Sequence, residues 1–165
     1  MTVCLVVMTG CSTSSSSVAA RPDTETGRQG RATVVRVVDG DTVVLDFGDV
    51  TESVRLIGID TPETVRPDSP VECYGPEASA HTSALLPEGT VVRVERDLEA
   101  RDDYGRLLAY VYRISDALFV NLEIVEKGYG RPFPFPPNTT HATTFVQAAR
   151  DAERGDLGLW SACAG

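Results

Sequence analysis

The chain has 165 residues, with 24 acidic side chains against 15 basic ones and a formal net charge of −9. That length excludes two ordinary domains, and no run reaches the roughly 20 apolar residues that a membrane-spanning helix needs. The acidic balance argues against a broad basic face, but every basic residue except Lys127 is arginine, and a few well-placed guanidinium forks can hold phosphate oxygens.

Residues 1–11, MTVCLVVMTGC, are apolar and uncharged and lead into serines. They read as the end of a truncated lipoprotein signal, with Gly10 as the small residue and Cys11 as the lipid-bearing one. No basic segment precedes the apolar run, which a start codon placed too far downstream would explain. Residues 12–31 are rich in Ser, Thr, Arg and Gly without apolar periodicity, as in a disordered tether. These features predict an extracytoplasmic protein, secreted or lipid-anchored at the cell surface, that meets a membrane only through Cys11. The ordered domain is expected over 32–165.

Thr33 to Val38, Val43 to Phe47 and Val54 to Ile59 are β-rich runs with short polar breaks, predicting a three-stranded meander. Residues 60–75 hold three prolines and no period, so a long loop is expected. Glu77 to Leu86 predicts a helix that stops before Pro87, and Val91 to Glu95 and Leu107 to Tyr112 predict two more strands. Leu118, Leu122 and Val125 have helical spacing, with Gly128 as the C-cap. Arg131 to Asn138, with four prolines, is expected as loop. Phe145, Ala148, Ala149 and Ala152 mark a last amphipathic helix. The order βββ–α–ββ–α–α predicts an α+β fold: a partly open, five-stranded OB-type β-barrel with three packed helices.

The chemistry sits around the second and third strands. A hairpin turning near Gly48–Thr51 would place opposite each other residues whose numbers sum to about 101. Asp41 and Asp60 then share one end of the sheet, and free backbone carbonyls at Thr61–Pro62 complete a hard-oxygen site for Ca²⁺ or Mg²⁺. Glu63 lies close enough to act on a water beside that cation. Arg55 and Arg106 are candidates to hold a phosphorus centre, although Arg55 lies roughly 16 Å from Asp60 along an ideal strand. Each element alone also reads as an ordinary turn or loop start; the ordered combination is what points to a site. His81 and His141 read as exposed helix or loop residues rather than ligands.

The segments VVRVVDGDTVVL (34–45), VRLIGIDTPET (54–64), ECYGPEAS (72–79), DYGRLLAYVY (103–112), VNLEIVEKGYG (120–130) and LGLW (157–160) together resemble the staphylococcal nuclease, or thermonuclease, family. The resemblance implies an OB-type barrel with three helices that cleaves DNA and RNA at the P–O5′ bond and leaves 3′-phosphorylated products. It implies that Asp41, Asp60 and the Thr61 carbonyl bind Ca²⁺, with Asp39 beside them. Glu63 would be the general base, or would position the attacking water. Arg55 and Arg106 would stabilise the transition state, and Tyr104 would contact a terminal phosphate.

The chain departs from the family pattern in places. Asp68, Ser69 and Asp103 stand where lysines are expected, and Phe133 and Phe135 replace two tyrosines beside the bound base, keeping the stacking face without the hydroxyl. These changes bear on polymer binding more than on the chemistry. A non-catalytic OB-type module that binds nucleic acid or protein on a surface lipoprotein is the alternative, as is a barrel with a purely structural role. A monomer is expected. In an exported protein the two cysteines beyond the leader, Cys73 and Cys163, favour a disulfide over two separate thiols.

Overall fold

The computed structural model describes residues 29–64 and 70–163; Cys11, Asp68 and Ser69 lie outside them. Strands β1 (Gln29–Val37), β2 (Thr42–Asp46) and β3 (Thr51–Leu56) form the expected meander. Strand β1 starts three residues before Ala32, because Gln29 to Thr33 pair with β5 (Val91–Glu95). Strand β6 (Leu107–Arg113) then joins β3 in parallel and β5 antiparallel, closing the barrel in the order β1-β2-β3-β6-β5. Closure, rather than the partly open barrel expected, leaves none of these five strands with a free edge.

Alternation decides what fills the barrel. Val43 and Leu45 on β2, Val54 and Leu56 on β3, and Val92 and Val94 on β5 point inward and are buried. From Leu107 to Val111, β6 is instead buried on both faces, because helices cover its outer side. These are α2 (Val120–Glu126) and α3 (Ala142–Arg154), which follow α1 (Gly75–Leu85) in the chain. Phe145, Ala148, Ala149 and Ala152 form the buried stripe of α3, as their spacing predicts. Asn121 of α2 is fully buried and fully used: its carbonyl accepts from the Val111 N–H at 2.9 Å, and its amide donates to the Ile57 carbonyl at 3.0 Å. A buried amide with these partners fixes the helix on the barrel without an orphaned polar atom.

The expected single strand Val54 to Ile59 is two strands in different sheets. Gly58 has φ +81° and turns the chain out of the barrel. A Cβ there would lie 2.3 Å from the Phe145 ring, so the bend and the close packing both require glycine. The short strand β4 (Gly58–Asp60) then pairs with β7 (Arg131–Phe133), inside the segment expected as loop. Prolines 132 and 134 do not prevent this, because the pairing is only three residues long and on an edge.

A one-turn helix, α4 (Leu159–Ala162), ends the described chain. It sits against Gly128, whose carbonyl accepts the Leu159 N–H at 2.8 Å. Cys163, just past it, is bonded to Cys73 ahead of α1, with Cα atoms 6.0 Å apart across 90 residues of sequence. In the chain-entropy account such a cross-link contributes about 4–5 kcal/mol. His81 and His141, expected to be exposed, are half-buried. His81 stacks on Tyr129 at 3.9 Å, and His141 packs edge-on against Tyr110 at 4.5 Å.

Candidate active site

The expected hairpin register is off by four. The β2–β3 turn is centred two residues earlier than predicted: Phe47 N–H donates to the Val50 carbonyl, and Gly48, at φ +97°, donates its N–H to the Asp46 carboxylate. Thr42 therefore pairs with Arg55, and Asp41 meets Leu56, whose N–H donates to the Asp41 carbonyl at 2.8 Å. Asp60 is not opposite Asp41 across the ladder. It reaches the same corner because Gly58 folds β4 back.

That fold-back also overturns the 16 Å separation estimated for Arg55. Its guanidinium bridges the two acids, ion-paired with Asp41 through Nη1 and with Asp60 through Nη2, the latter at 2.9 Å. Thr61 adds two donors to Asp41: its N–H at 2.9 Å and its hydroxyl at 3.0 Å, both to Oδ2. Asp41 and Thr61 are buried. Gly40 allows this contact, since a Cβ there would lie 2.5 Å from the Thr61 hydroxyl. Asp39 accepts the Asp41 N–H at 3.1 Å. Burial, reinforced by the Asp41 charge, holds the Asp39 carboxyl above its ordinary range. Burial also raises Asp60, with Arg55 pulling it back and Asp41 pushing it further up. Crowded carboxylates of this kind favour a nearby cation.

Arg106 enters from the start of β6. Its Nε donates to Asp102 at 2.7 Å, and Asp102 also accepts the N–H groups of Tyr104 and Arg106 at 3.0 and 2.9 Å. One carboxylate thus shapes the turn and aims the guanidinium. Tyr104 is 86 % exposed, with its ring centroid 5.4 Å from the Arg106 guanidinium carbon.

Two cavities meet here. A polar one of about 120 Å³ is lined by Asp39, Asp41, Thr61, Glu63 and Glu72, together with Arg55, Asp60 and Arg106. The second, of about 220 Å³, shares those last three residues and is otherwise largely apolar, with Leu56, Ile59 and Leu108 beside Phe133, Phe135 and Tyr104. The structure thus gathers every site residue predicted within its described part into one cleft, apart from the cysteine pair. Phe133 stands opposite Gly58 in the β4–β7 pair. Asn138, three residues past Phe135, is buried and exchanges two hydrogen bonds with the Glu99 backbone.

Three residues escaped the sequence reading: Asp102, Glu72 and Asn138. Asp102 had a local signal, an aspartate two residues before Tyr104 and three before Gly105, the pattern of an Asx turn. Glu72 and Asn138 act over distances of 9 and 39 residues and had none.

A hard divalent cation fits this donor set. Asp41, Asp60 and the Thr61 backbone offer oxygen ligands, although among the described residues no three His, Cys, Asp or Glu side chains form a ready cage.

The family model described as staphylococcal nuclease homologue matches residues 53–162. The chain is 43% identical over 127 residues to a thermonuclease of Staphylococcus intermedius, covering 77% of this chain and 74% of that one. It is 39% identical over 128 residues to a thermonuclease of Staphylococcus hyicus, covering 78% and 74%. It is 36% identical over 131 residues to the endonuclease YncB of Bacillus subtilis, covering 78% and 61%. With the barrel, the cleft and these likenesses in agreement, the chain belongs to the staphylococcal nuclease family.

Proposed function

We propose that this protein is an exported, Ca²⁺-dependent phosphodiesterase that cleaves DNA and RNA at the P–O5′ bond and leaves 3′-phosphorylated ends. The observation that carries the reading is the junction of the two cavities at Arg55, Asp60 and Arg106. A base resting against Phe133 and Phe135 would place its phosphate at that junction.

Asp41, Asp60 and the Thr61 carbonyl would hold the cation, with Asp39 keeping the Asp41 turn in place. When bound, the cation supplies Lewis-acid charge to the scissile phosphate. Arg55 now provides the positive charge between Asp41 and Asp60; once that charge is supplied otherwise, its guanidinium is free to turn toward a phosphoryl oxygen. Arg106, already aimed by Asp102, donates from the other side, and both would stabilise charge in the transition state. Glu63, on the wall of the polar cavity, takes a proton from the attacking water or orients it. Tyr104 would meet a terminal phosphate.

Digestion of plasmid DNA and of RNA in Ca²⁺, in Mg²⁺ and in chelator tests this. Hydrolysis is expected in Ca²⁺ and is expected to stop with chelator. Equal rates in Mg²⁺ alone would overturn the metal assignment. Absence of hydrolysis in every arm would favour the non-catalytic OB-type binding module. The disulfide supports an oxidising, extracytoplasmic location. Lipid anchoring predicts that the protein partitions into detergent and that Cys11→Ser releases it.

A further inference from the structure

We propose that Glu72 is a positioning residue: it clamps the backbone of Glu63 and so sets where the Glu63 carboxylate stands in the cleft. This rests on the nuclease reading, in which Glu63 acts on the attacking water. The Glu72 carboxylate accepts the Glu63 N–H at 3.1 Å through Oε2, and the Glu72 N–H donates to the Glu63 carbonyl at 2.9 Å. Two bonds running in opposite directions between the same two residues fix both the separation and the twist of the chain at Glu63. A third contact limits the same peptide from the side of α1, where a Cβ on Gly75 would lie 2.9 Å from the Glu63 carbonyl oxygen.

The clamp has an anchor. Cys73 directly follows Glu72 and is bonded to Cys163 beside α4. Within α4, Trp160 carries the Arg131 guanidinium 4.4 Å from its ring centroid, and Arg131 pairs with Asp60 in the β4–β7 register. Glu63 and Asp60 are therefore tied to one framework from two directions: Glu63 through Glu72 and the disulfide, Asp60 through β7 and Trp160. Glu72 lines the polar cavity as well, so its charge and its hydrogen bond have to be separated. Glutamine keeps the acceptor oxygen and removes the charge; alanine removes both.

Steady-state cleavage of a labelled oligonucleotide in Ca²⁺, with Glu72→Ala and Glu72→Gln beside the unmodified chain, reads the catalytic consequence. A misplaced catalytic group costs on the order of 10- to 100-fold. Glu72→Ala is therefore expected to lose about that much in kcat with little change in KM, and Glu72→Gln to recover most of it. Glu72→Met, which keeps the bulk without the acceptor, replaces the alanine variant if that one folds poorly. Amide hydrogen exchange at Glu63 in metal-free protein gives a readout independent of turnover: protection in the unmodified and Gln variants, loss in Ala or Met. Unchanged kcat in Glu72→Ala, a Gln variant as impaired as Ala, or Glu63 exchange that does not respond to Glu72 would each overturn the proposal. An unmodified chain that cleaves nothing would sink the nuclease reading instead, and the exchange measurement would still decide whether the clamp exists.

Discussion

The floor and the rim of the cleft are held by different means. The floor consists of Asp41, Arg55, Asp60 and Arg106. Asp41, Arg55 and Arg106 stand on or beside barrel strands whose inward neighbours are fully buried, and Asp60 ends β4, which is paired with β7. Moving one of them therefore means disturbing the core or the strand pairing. The described residues of the rim, among them Glu63, Glu72 and Cys73, lie in no strand. The rim relies on discrete links, among them the two hydrogen bonds between Glu63 and Glu72, one close glycine contact and one disulfide. Sheet register makes the floor insensitive to single polar substitutions elsewhere, whereas the rim can be released one link at a time.

Substitutions can break this contrast at either end. On the floor, Arg55→Ala removes a transition-state donor and leaves Asp41 and Asp60 facing each other. Turnover should fall on the order of 10²- to 10³-fold, read by single-turnover cleavage; a rate near that of the unmodified protein would place the phosphate elsewhere. Gly58→Ala attacks the same floor through the fold. A side chain at φ +81° pressed into Phe145 should cost about 2–4 kcal/mol in urea unfolding. A neutral result would mean that the β3–β4 bend does not depend on glycine.

Rim effects should be local in the native state. Replacing Cys73 and Cys163 by serine should lower stability by about 2–5 kcal/mol. Exchange protection should drop first at Glu63 and at Leu159, while the amides of β2 and β3 stay protected under native conditions. Uniform loss across the barrel would erase the distinction. Asp102→Ala lies between the two regions: Arg106 keeps its place just before β6 but loses its aim, and turnover should fall roughly tenfold.

The smallest effect concerns pH. His81 is stacked against Tyr129, and burial lowers its pKa below the ordinary 6.5. A depressed histidine means that the unfolded chain takes up the proton more readily. The stabilisation is therefore full above about pH 6.5 and is lost as pH falls through the folded value. His81→Phe should flatten that part of the stability profile, as followed by thermal melts between pH 7 and 5. An unchanged profile would assign the acid sensitivity to other groups.

Much of the molecule can be read from local sequence. Alternating Val and Leu marks the barrel strands because one face must be apolar. The 3.6-residue spacing from Phe145 to Ala152 marks α3, and the order of the Asp, Arg and Glu motifs marks the site. The relation between those motifs cannot be read in this way. Asp41 meets Asp60 not across a ladder but through a bend at Gly58, and a local pattern does not reveal that a glycine will be pressed against a ring 87 residues later in the chain. Pairing of β7 with β4, closure of β6 on β3 and the clamp of Glu72 on Glu63 are likewise long-range choices. They depend on which surfaces remain unburied once the barrel forms. Local patterns record the solvent preference of each side chain, while the distances that make a site arise only when distant segments compete for the same core.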